Sequence, residues 1–188
     1  KISEFEDLLK PLGVSVVSQD DYGVTSPEET GKSFIENALI KARHATSLTN
    51  VPSLADDSGL VVRALDGKPG VRSARYAGEH STDERNVTKL LETMREVSDG
   101  YRQCEFICAL VYLRFEDDPT PIVATGSWSG FVLRTPQGLN GFGYDPVFGV
   151  LGTDKSAAQL NSVAKNKRSH RGAAVANLLP LLERELKE

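Results

Sequence analysis

The pattern of apolar residues along the chain predicts helices near both ends and an extended, β-rich middle. Near the start of the chain, Ile2, Phe5, Leu8 and Leu9 recur three and four positions apart, the spacing of one helix face. Ser33 and Ser81 are each followed three residues later by Glu, which is the form of an N-terminal capping box. Ser169 is the predicted N-cap of the last helix, which Pro180 is expected to kink. The predicted helices cover residues 3–10, 33–48, 81–97 and 169–186.

A change of period in the middle of the chain predicts a β-hairpin. Two long runs rich in β-branched and aromatic residues, 103–115 and 121–133, are separated by a turn that contains Asp117, Asp118 and Pro119. Runs joined by such a short turn are expected to pair antiparallel. Shorter strands are predicted at residues 14–17, 60–62 and 147–150, and loops at residues 20–30, 66–78 and 138–146.

These elements predict an α/β protein that forms a single domain over residues 1–188. Helices and strands alternate in the first half, and the hairpin dominates the middle, which favours a mixed β-sheet flanked by helices. The two halves suggest two lobes with a cleft between them. The sequence contains neither an internal repeat nor a low-complexity linker.

Composition and charge restrict the class of protein. The net charge is −4, and charged and hydrophobic residues make up 26% and 39% of the chain, as in an ordinary globular domain. An acidic chain is a poor partner for duplex nucleic acid, and no apolar run has the length of a membrane span or the form of a signal peptide. Cys104 and Cys108 lie roughly 13 Å apart along a predicted strand, too far for a disulfide. We therefore expect a cytoplasmic protein with reduced cysteines.

Two acidic pairs are the first candidates for chemistry. Asp56 and Asp57 stand before a Ser and a Gly, in a segment predicted to be a turn between strands. Adjacent carboxylates repel one another, which raises one pKa or attracts a cation, and their hard oxygens suit Mg²⁺. The pattern also fits a solvated turn. The second pair, Glu28 and Glu29, fits a solvated surface as well, and the sequence does not tell whether the two pairs meet in space.

A glycine-rich loop combines aromatic rings with a carboxylate. Glycine lets the backbone approach a ligand closely, and aromatic faces can stack on a base. The segment also fits a loop that an aromatic residue anchors, and its glycine spacing does not match a dinucleotide fingerprint. Its sequence is Gly141-Phe142-Gly143-Tyr144-Asp145-Pro146.

A basic segment precedes the last predicted helix. Its cations are Lys165, Lys167, Arg168 and Arg171, with His170 among them. Cations at a helix N-terminus oppose the helix dipole, so they indicate a bound anion or acceptor unless the segment is a solvated basic run. The sequence lacks a P-loop, a zinc-binding His or Cys cluster and a G-x-S-x-G elbow, so those chemistries are not expected.

Six segments, taken together, resemble the inosine triphosphate pyrophosphatase family, whose bacterial branch is also called the dITP/XTP pyrophosphatases. Each segment is a weak signal, but the ordered set spans nearly the whole chain and is specific. The resemblance implies hydrolysis of ITP, dITP or XTP to a monophosphate and pyrophosphate with Mg²⁺. It also implies a homodimer whose protomer has a long mixed sheet and an active-site cleft between two lobes. The segments are residues 28–31, 34–38 with 41–42, 55–60, 69–71 with 73–76, 141–146 and 169–171.

The resemblance also implies roles for single residues. Asp57 would be the proton acceptor and, together with Glu28, a ligand of the metal. Lys41 and Asp56 are further candidates near the phosphates. The residues implied to contact the nucleotide are Lys1 and Ser58 at the triphosphate, Phe142, Gly143, Tyr144 and Asp145 at the nucleoside with Lys165 beside them, and His170 and Arg171 at the base.

The start of the chain departs from the family pattern. The family begins with a strand and a phosphate-binding loop of the form Ser/Thr/His-x-Asn-x-x-Lys. Only the final lysine of that loop is present, as Lys1. We expect the strand and the rest of the loop, roughly a dozen residues long by the resemblance, to precede Lys1 in the complete protein.

The mechanism that the resemblance implies is attack of water on the α-phosphorus, with pyrophosphate leaving. Donors near His170 and Arg171 would bond the 6-oxo group of hypoxanthine or xanthine, whereas the amine of adenine would leave them unpaired. Three alternatives stay open: a pyrophosphatase of modified pyrimidine triphosphates, a non-catalytic nucleotide sensor, and a metal-dependent phosphomonoesterase that releases orthophosphate.

Overall fold

A four-stranded sheet with helices packed against it forms the framework of the protein. The computed structural model describes residues 5–6 and 9–187. The strands are β1 (Ser53–Val62), β2 (Gln103–Leu113), β3 (Ile122–Val132) and β4 (Phe148–Val150). The α-helices of the part of the chain from residue 10 onward are α1 (Phe34–Thr49), α2 (Asp83–Thr93), α3 (Ser162–Arg168) and α4 (His170–Glu185). Short 3-10 turns lie between them.

The sheet has the order β1-β2-β3-β4, and its core is the predicted hairpin. β2 and β3 pair antiparallel from Gln103 opposite Phe131 to Tyr112 opposite Ile122, which confirms that prediction. The α/β fold with flanking helices is confirmed as well. Within the described residues all strand pairings are antiparallel, so the parallel pairing of a mixed sheet is not found there. Apolar alternation predicts which face a residue occupies, but it carries no information on strand direction.

β1 is longer than the sequence predicted and includes the acidic pair. The segment of Asp56 and Asp57 is not a turn, because β1 continues through it, with Asp57 opposite Ala109 and Ser58 opposite Cys108. The ladder of hydrogen bonds to β2 outweighs the turn preference of Asp, Ser and Gly. The strand predicted at residues 14–17 is absent from the described structure, although Val14 and Val16 still pack on a hydrophobic cluster.

Helices cover both faces of β2, and each brings part of the site to the sheet. On one face, Ala38 and Ala42 of α1 pack in a cluster with Ala109 and Val111 of β2. On the other face α4 packs against β2 and β3. The contact of α4 is very close, because a Cβ added to Gly126 would lie 2.2 Å from the carbonyl oxygen of His170. Glycine in β3 therefore lets the first turn of α4 reach the sheet.

The helix ends agree with the sequence in part. The capping box of Ser33 with Glu36 and the N-cap Ser169 are confirmed. The N-cap of α2 is Thr82, one residue after the predicted Ser81, and the helix ends at Thr93, four residues before the predicted end. α4 continues through Pro180. Of the predicted helix at residues 3–10, the described residues 5, 6 and 9 are helical and Lys10 begins a 3-10 turn, while the other four lie outside the described residues.

α3 was missed by the sequence analysis. It has 7 residues and Asn161 as its N-cap, and so short a helix shows no clear apolar period.

The cysteines behave as predicted. Cys104 and Cys108 are buried on β2 and are not joined by a disulfide. Burial disfavours the thiolate and raises the pKa of Cys104 to about 12, so this thiol stays protonated at neutral pH.

Candidate active site

A cavity of about 730 Å³ lies where β1, the loop 141–145, α3 and the start of α4 meet. Glu28 is exposed and is not among the described residues that line the cavity, and Lys1 lies outside the described residues. The predicted site residues that line it are Asp57, Ser58, Phe142, Gly143, Tyr144, Asp145, Lys165, His170 and Arg171. The structure thus brings most of the predicted set to one place, while their roles stay predictions.

Asp57 lies on the face of β1 that α1 covers, and its side chain is 8% exposed. Lys41 Nζ donates to Asp57 Oδ1 at 2.7 Å, and Asn37 Nδ2 donates to Oδ2 at 3.3 Å. Burial raises the pKa of the Asp57 carboxyl, and the nearby charge of Glu29 adds to the rise, although the bonds from Lys41 and Asn37 oppose it. Asp57 is therefore a carboxylate that its neighbours stabilise only in part.

Lys41 joins Asp57 to a second carboxylate. Its Nζ lies 2.7 Å from Glu29 Oε1 and also donates to the backbone oxygen of Asp56 at 3.2 Å. Burial lowers the pKa of Lys41, but its hydrogen bonds to Asp57 and Glu29 outweigh burial, and the net pKa is raised. Arg75 holds Glu29 from the other side, with Nη2 donating to the Glu29 backbone oxygen at 3.3 Å. The ammonium of Lys41 thus occupies the space between two carboxylates.

This arrangement suits a hard cation that needs few protein ligands. Asp57 and Glu29 share one ammonium group, and their mutual repulsion contributes to the raised pKa of Asp57. Within residues 5–6 and 9–187 no group of three or more His, Cys, Asp or Glu side chains could hold a metal ion. Mg²⁺ typically takes one or two carboxylates and completes its shell with water and substrate phosphates, so the residues present fit it.

The opposite face of β1 carries Asp56 and Ser58 toward α4. Arg171 Nη2 lies 3.2 Å from Asp56 Oδ2, and Ser58 Oγ lies 3.5 Å from the same oxygen. The Nε of Arg171 is buried and has no hydrogen-bond partner among the described residues. A buried N–H donor without a partner is costly, and Arg171 itself lines the cavity, so this residue is a candidate for contact with a bound ligand.

The glycine-rich loop 141–145 forms another wall of the cavity. Gly141 has φ +80° and Gly143 φ +60°, which only glycine adopts at little cost. The buried carboxylate of Asp145 accepts hydrogen bonds from Phe142 N, at 2.9 Å, and from Lys165 Nζ. The Phe142 ring is 57% exposed, and Lys165 Nζ lies 4.9 Å from its centroid. The loop thus holds an accessible aromatic face beside a cation.

Tyr144 and His170 are packed more deeply than Phe142. Tyr144 is 4% exposed, its hydroxyl donates to the backbone oxygen of Ser73 at 2.8 Å, and burial raises its pKa. The His170 ring stacks on Phe106 with the centroids 4.9 Å apart and the planes at 17°. Both rings are therefore fixed by the core, whereas Phe142 stays accessible to a ligand.

The prediction that these cations oppose a helix dipole is wrong for most of the basic segment. Lys165, Lys167 and Arg168 lie in the last turn of α3, where the dipole favours cations. Only Arg171, in the first turn of α4, opposes a dipole. The prediction placed these residues just before or in the first turn of the last helix, because α3 is too short to show an apolar period.

No individual role was predicted for four residues that shape the site: Asn37, Glu29, Arg75 and Asp83. Asn37 and Lys41 stand four apart on α1, the spacing of one helix face, so the predicted helix could have paired them. Glu29 lies in a loop, Arg75 ends a 3-10 turn and Asp83 starts α2, and at such positions no apolar period tells which way a side chain faces. Asp83 Oδ2 accepts a hydrogen bond from Gly143 N at 2.6 Å.

Comparisons with known proteins identify the family of this chain. The sequence model of the Ham1 family matches residues 1–181. The chain belongs to the Ham1 family. A dITP/XTP pyrophosphatase of Escherichia coli K12 is 53% identical over 182 residues, which cover 97% of this chain and 92% of the relative. A dITP/XTP pyrophosphatase of Vibrio cholerae is 50% identical over 185 residues, with 98% and 92% covered.

Solved structures of Ham1 proteins share the fold. A HAM1 protein from Coxiella burnetii superposes with a TM-score of 0.93 at 43% identity, over 97% of this chain and 93% of that one. The Ham1 protein of Staphylococcus aureus gives a TM-score of 0.85 at 37% identity, over 99% and 92%. The family match and the fold thus support the resemblance that the motifs indicated. None of the helices found in the described part of this Ham1 chain has the length and apolar character to cross a membrane.

Proposed function

We propose that this Ham1 protein hydrolyses the non-canonical purine triphosphates ITP, dITP and XTP to a monophosphate and pyrophosphate. One observation carries the proposal: a single cavity joins a buried, partly stabilised carboxylate, Asp57, to the accessible aromatic face of Phe142 and to the guanidinium of Arg171, whose Nε–H has no partner among the described residues. Asp57 suits activation of a water molecule that attacks phosphorus, whereas Phe142 and Arg171 suit binding of a purine base. The names of the relatives from Escherichia coli and Vibrio cholerae support the same reaction.

Asp57 is the proposed general base. Its carboxylate accepts the proton of the attacking water while the new P–O bond forms at the α-phosphorus and the bond to the β-phosphate oxygen breaks. A raised pKa makes a carboxylate a better base near neutral pH, and burial supplies that rise here. Lys41 keeps its proton, because its pKa is raised, and so holds the orientation of Asp57 and stabilises negative charge that develops nearby.

Asp57 and the acidic segment of Glu28 and Glu29 are the proposed holders of Mg²⁺. Glu29 lies beside Lys41 and lines the cavity, while the family resemblance favours Glu28. Mg²⁺ at this position would offset phosphate charge and polarise the α-phosphoryl group. Lys41 then has to share Asp57 and Glu29 with the metal, which a flexible ammonium side chain can do without moving α1.

Base selection is proposed to depend on Arg171 and His170 at the start of α4. The guanidinium of Arg171, which lines the cavity, would donate to the 6-oxo group of hypoxanthine or xanthine, whereas adenine presents an amine there. Phe142 offers a stacking face, and the guanidinium of Arg171 lies 5.9 Å from its centroid. Guanine shares the 6-oxo group, so its exclusion requires a further contact with its 2-amino group.

The protein is further proposed to act as a cytoplasmic homodimer that binds no nucleic acid. The net charge of −4 and the absence of a spanning helix from the described residues agree with this, and the family resemblance implies the dimer.

Product analysis with a panel of nucleotides tests the function. The purified protein should release pyrophosphate and IMP from ITP with Mg²⁺, lose turnover in EDTA, and act about 10²-fold less well on ATP. Orthophosphate as the product would indicate a phosphomonoesterase, and binding of ITP without turnover would indicate a sensor. Faster hydrolysis of a modified pyrimidine triphosphate would overturn the purine assignment.

The same assay separates the two candidate metal ligands. Glu28→Gln and Glu29→Gln variants are compared by the Mg²⁺ concentration that gives half of the maximal rate. The variant of the residue that binds the metal should require more Mg²⁺, and its neighbour serves as the matched control.

A further inference from the structure

The loop 141–145 receives a contact from an element that no motif connects with it. Asp83, the first residue of α2, accepts a hydrogen bond from the backbone N–H of Gly143 at 2.6 Å. The two residues are 60 positions apart in the sequence, and both line the cavity. A carboxylate acceptor makes a stronger hydrogen bond than a neutral one, and its short length agrees with this.

α2 does not depend on Asp83 for its own N-terminal cap. The Thr82 side chain accepts from Arg85 N at 3.3 Å and serves as the N-cap. Glu84 follows in the same first turn, and both acidic residues interact favourably with the helix dipole. Glu84 is not one of the described residues that line the cavity. What distinguishes Asp83 from Glu84 is therefore the contact with Gly143.

Gly143 is the point where this contact matters most. It stands between Phe142 and Tyr144, its φ of +60° is left-handed, and no strand pairing fixes this segment. Hydrogen bonds fix the loop on either side of Gly143. Phe142 N donates to the Asp145 carboxylate, and the Tyr144 hydroxyl donates to the backbone oxygen of Ser73. The bond to Asp83 fixes the peptide between these two anchors and thereby the direction of the exposed Phe142 ring.

We propose that Asp83 is a positioning residue for the nucleoside: it holds the Gly143 peptide so that Phe142 presents its face to the base. The inference rests on the proposed function for the identity of the ligand, but the contact itself does not. Asp83 acts through the loop and so affects binding of the base and not of the phosphates.

Binding of the two products, IMP and pyrophosphate, distinguishes positioning of the base from a general effect on ligand binding. In the Asp83→Ala variant, the dissociation constant of IMP should rise about three- to tenfold, the size expected for one lost charge-assisted hydrogen bond in contact with water. Pyrophosphate, which has no base, should bind as to the wild type. Asp83→Asn retains an acceptor and should give a smaller rise. Glu84→Ala removes the same helix-dipole charge and should leave IMP binding unchanged.

Two further readouts make each outcome decisive. The Gly143 amide proton, observed by NMR, should shift upfield in Asp83→Ala but not in Glu84→Ala, whatever the enzyme hydrolyses. In turnover of ITP by Asp83→Ala, KM should rise, while kcat should stay within about twofold of the wild-type value. An unmoved Gly143 resonance, or equal losses for IMP and pyrophosphate, would overturn the positioning role. Failure of the wild type to hydrolyse ITP would instead count against the proposed function.

Discussion

Two clusters of charged residues in this fold shift the pKa of a buried aspartate in opposite directions. At the hairpin tip, Asp118 accepts from Arg114 Nη2 at 2.6 Å, from Arg114 Nε at 2.8 Å and from Thr120 N at 2.9 Å. In the cavity, Asp57 has Lys41 and Asn37 as donors and Glu29 as a competitor for Lys41. The pKa of Asp118 lies well below its usual range because of Arg114, whereas burial raises the pKa of Asp57.

Burial alone does not explain this difference. Asp118 is 1% exposed and Asp57 is 7% exposed, so both residues are largely buried. What differs is how the negative charge is neutralised. The guanidinium of Arg114 donates two hydrogen bonds to Asp118, whereas Asp57 and Glu29 share the single ammonium group of Lys41. A carboxylate with a structural role, such as Asp118, has enough hydrogen-bond donors to neutralise its charge. A carboxylate with too few donors, such as Asp57, can still bind a proton or a metal ion.

The largest effect is expected from Asp57→Asn. The substitution keeps the shape and removes the base, so kcat for ITP should fall by about 10²–10⁴-fold, and more if metal binding is lost as well. The free energy of unfolding should stay equal or rise, since a poorly compensated buried charge is removed. Steady-state kinetics and urea denaturation measure the two quantities. A variant with more than about a tenth of the wild-type rate would contradict the assignment.

Asp118→Ala should show the converse pattern, a loss of stability with little loss of activity. The donors of Arg114 and Thr120 lose their acceptor, which should lower the free energy of unfolding by about 1–3 kcal/mol at neutral pH. The rate of ITP turnover should stay within about twofold, because the cluster touches no residue of the cavity among those described. Asp117→Ala, an exposed neighbour of the same charge, is the control and should change neither quantity.

The sequence predicted best what depends on local signals. The capping box of Ser33, the N-cap Ser169 and the hairpin follow from residues close in the chain, and the structure has them. The path of β1 through Asp56 depends on its ladder with β2, some fifty residues away, and local turn preference predicted the opposite. α3 was missed because a helix of 7 residues is too short for a period.

The site could be predicted as a set of segments but not as a geometry. The ordered motifs brought together Asp57, the loop 141–145 and Arg171, which all line one cavity. Which member of the pair Glu28 and Glu29 faces Lys41 depends on the path of an irregular loop, and no pattern encodes it. The contact of Asp83 with Gly143 joins distant segments through one backbone N–H. Every residue except proline has such an N–H, so neither composition nor spacing predicts the contact.

The smallest effect is a difference in how stability depends on pH, measured without divalent cations. The pKa of Asp118 is lowered from 3.8 on folding, so its contribution is present above that value and is lost as the pH falls toward the folded pKa. Asp118→Asn should therefore be less stable than wild type at neutral pH and approach it below about pH 4.

For Asp57 the sign is reversed, since its pKa is raised from 3.8 on folding. Its ionised form costs stability above the raised pKa, and protonation removes that cost as the pH falls. Asp57→Asn should thus be at least as stable as wild type at neutral pH, and its advantage should shrink on acidification. Urea denaturation of both variants between pH 3 and pH 7 measures the two trends. Parallel trends would mean that the two aspartates are compensated alike, and the contrast between the clusters would not hold.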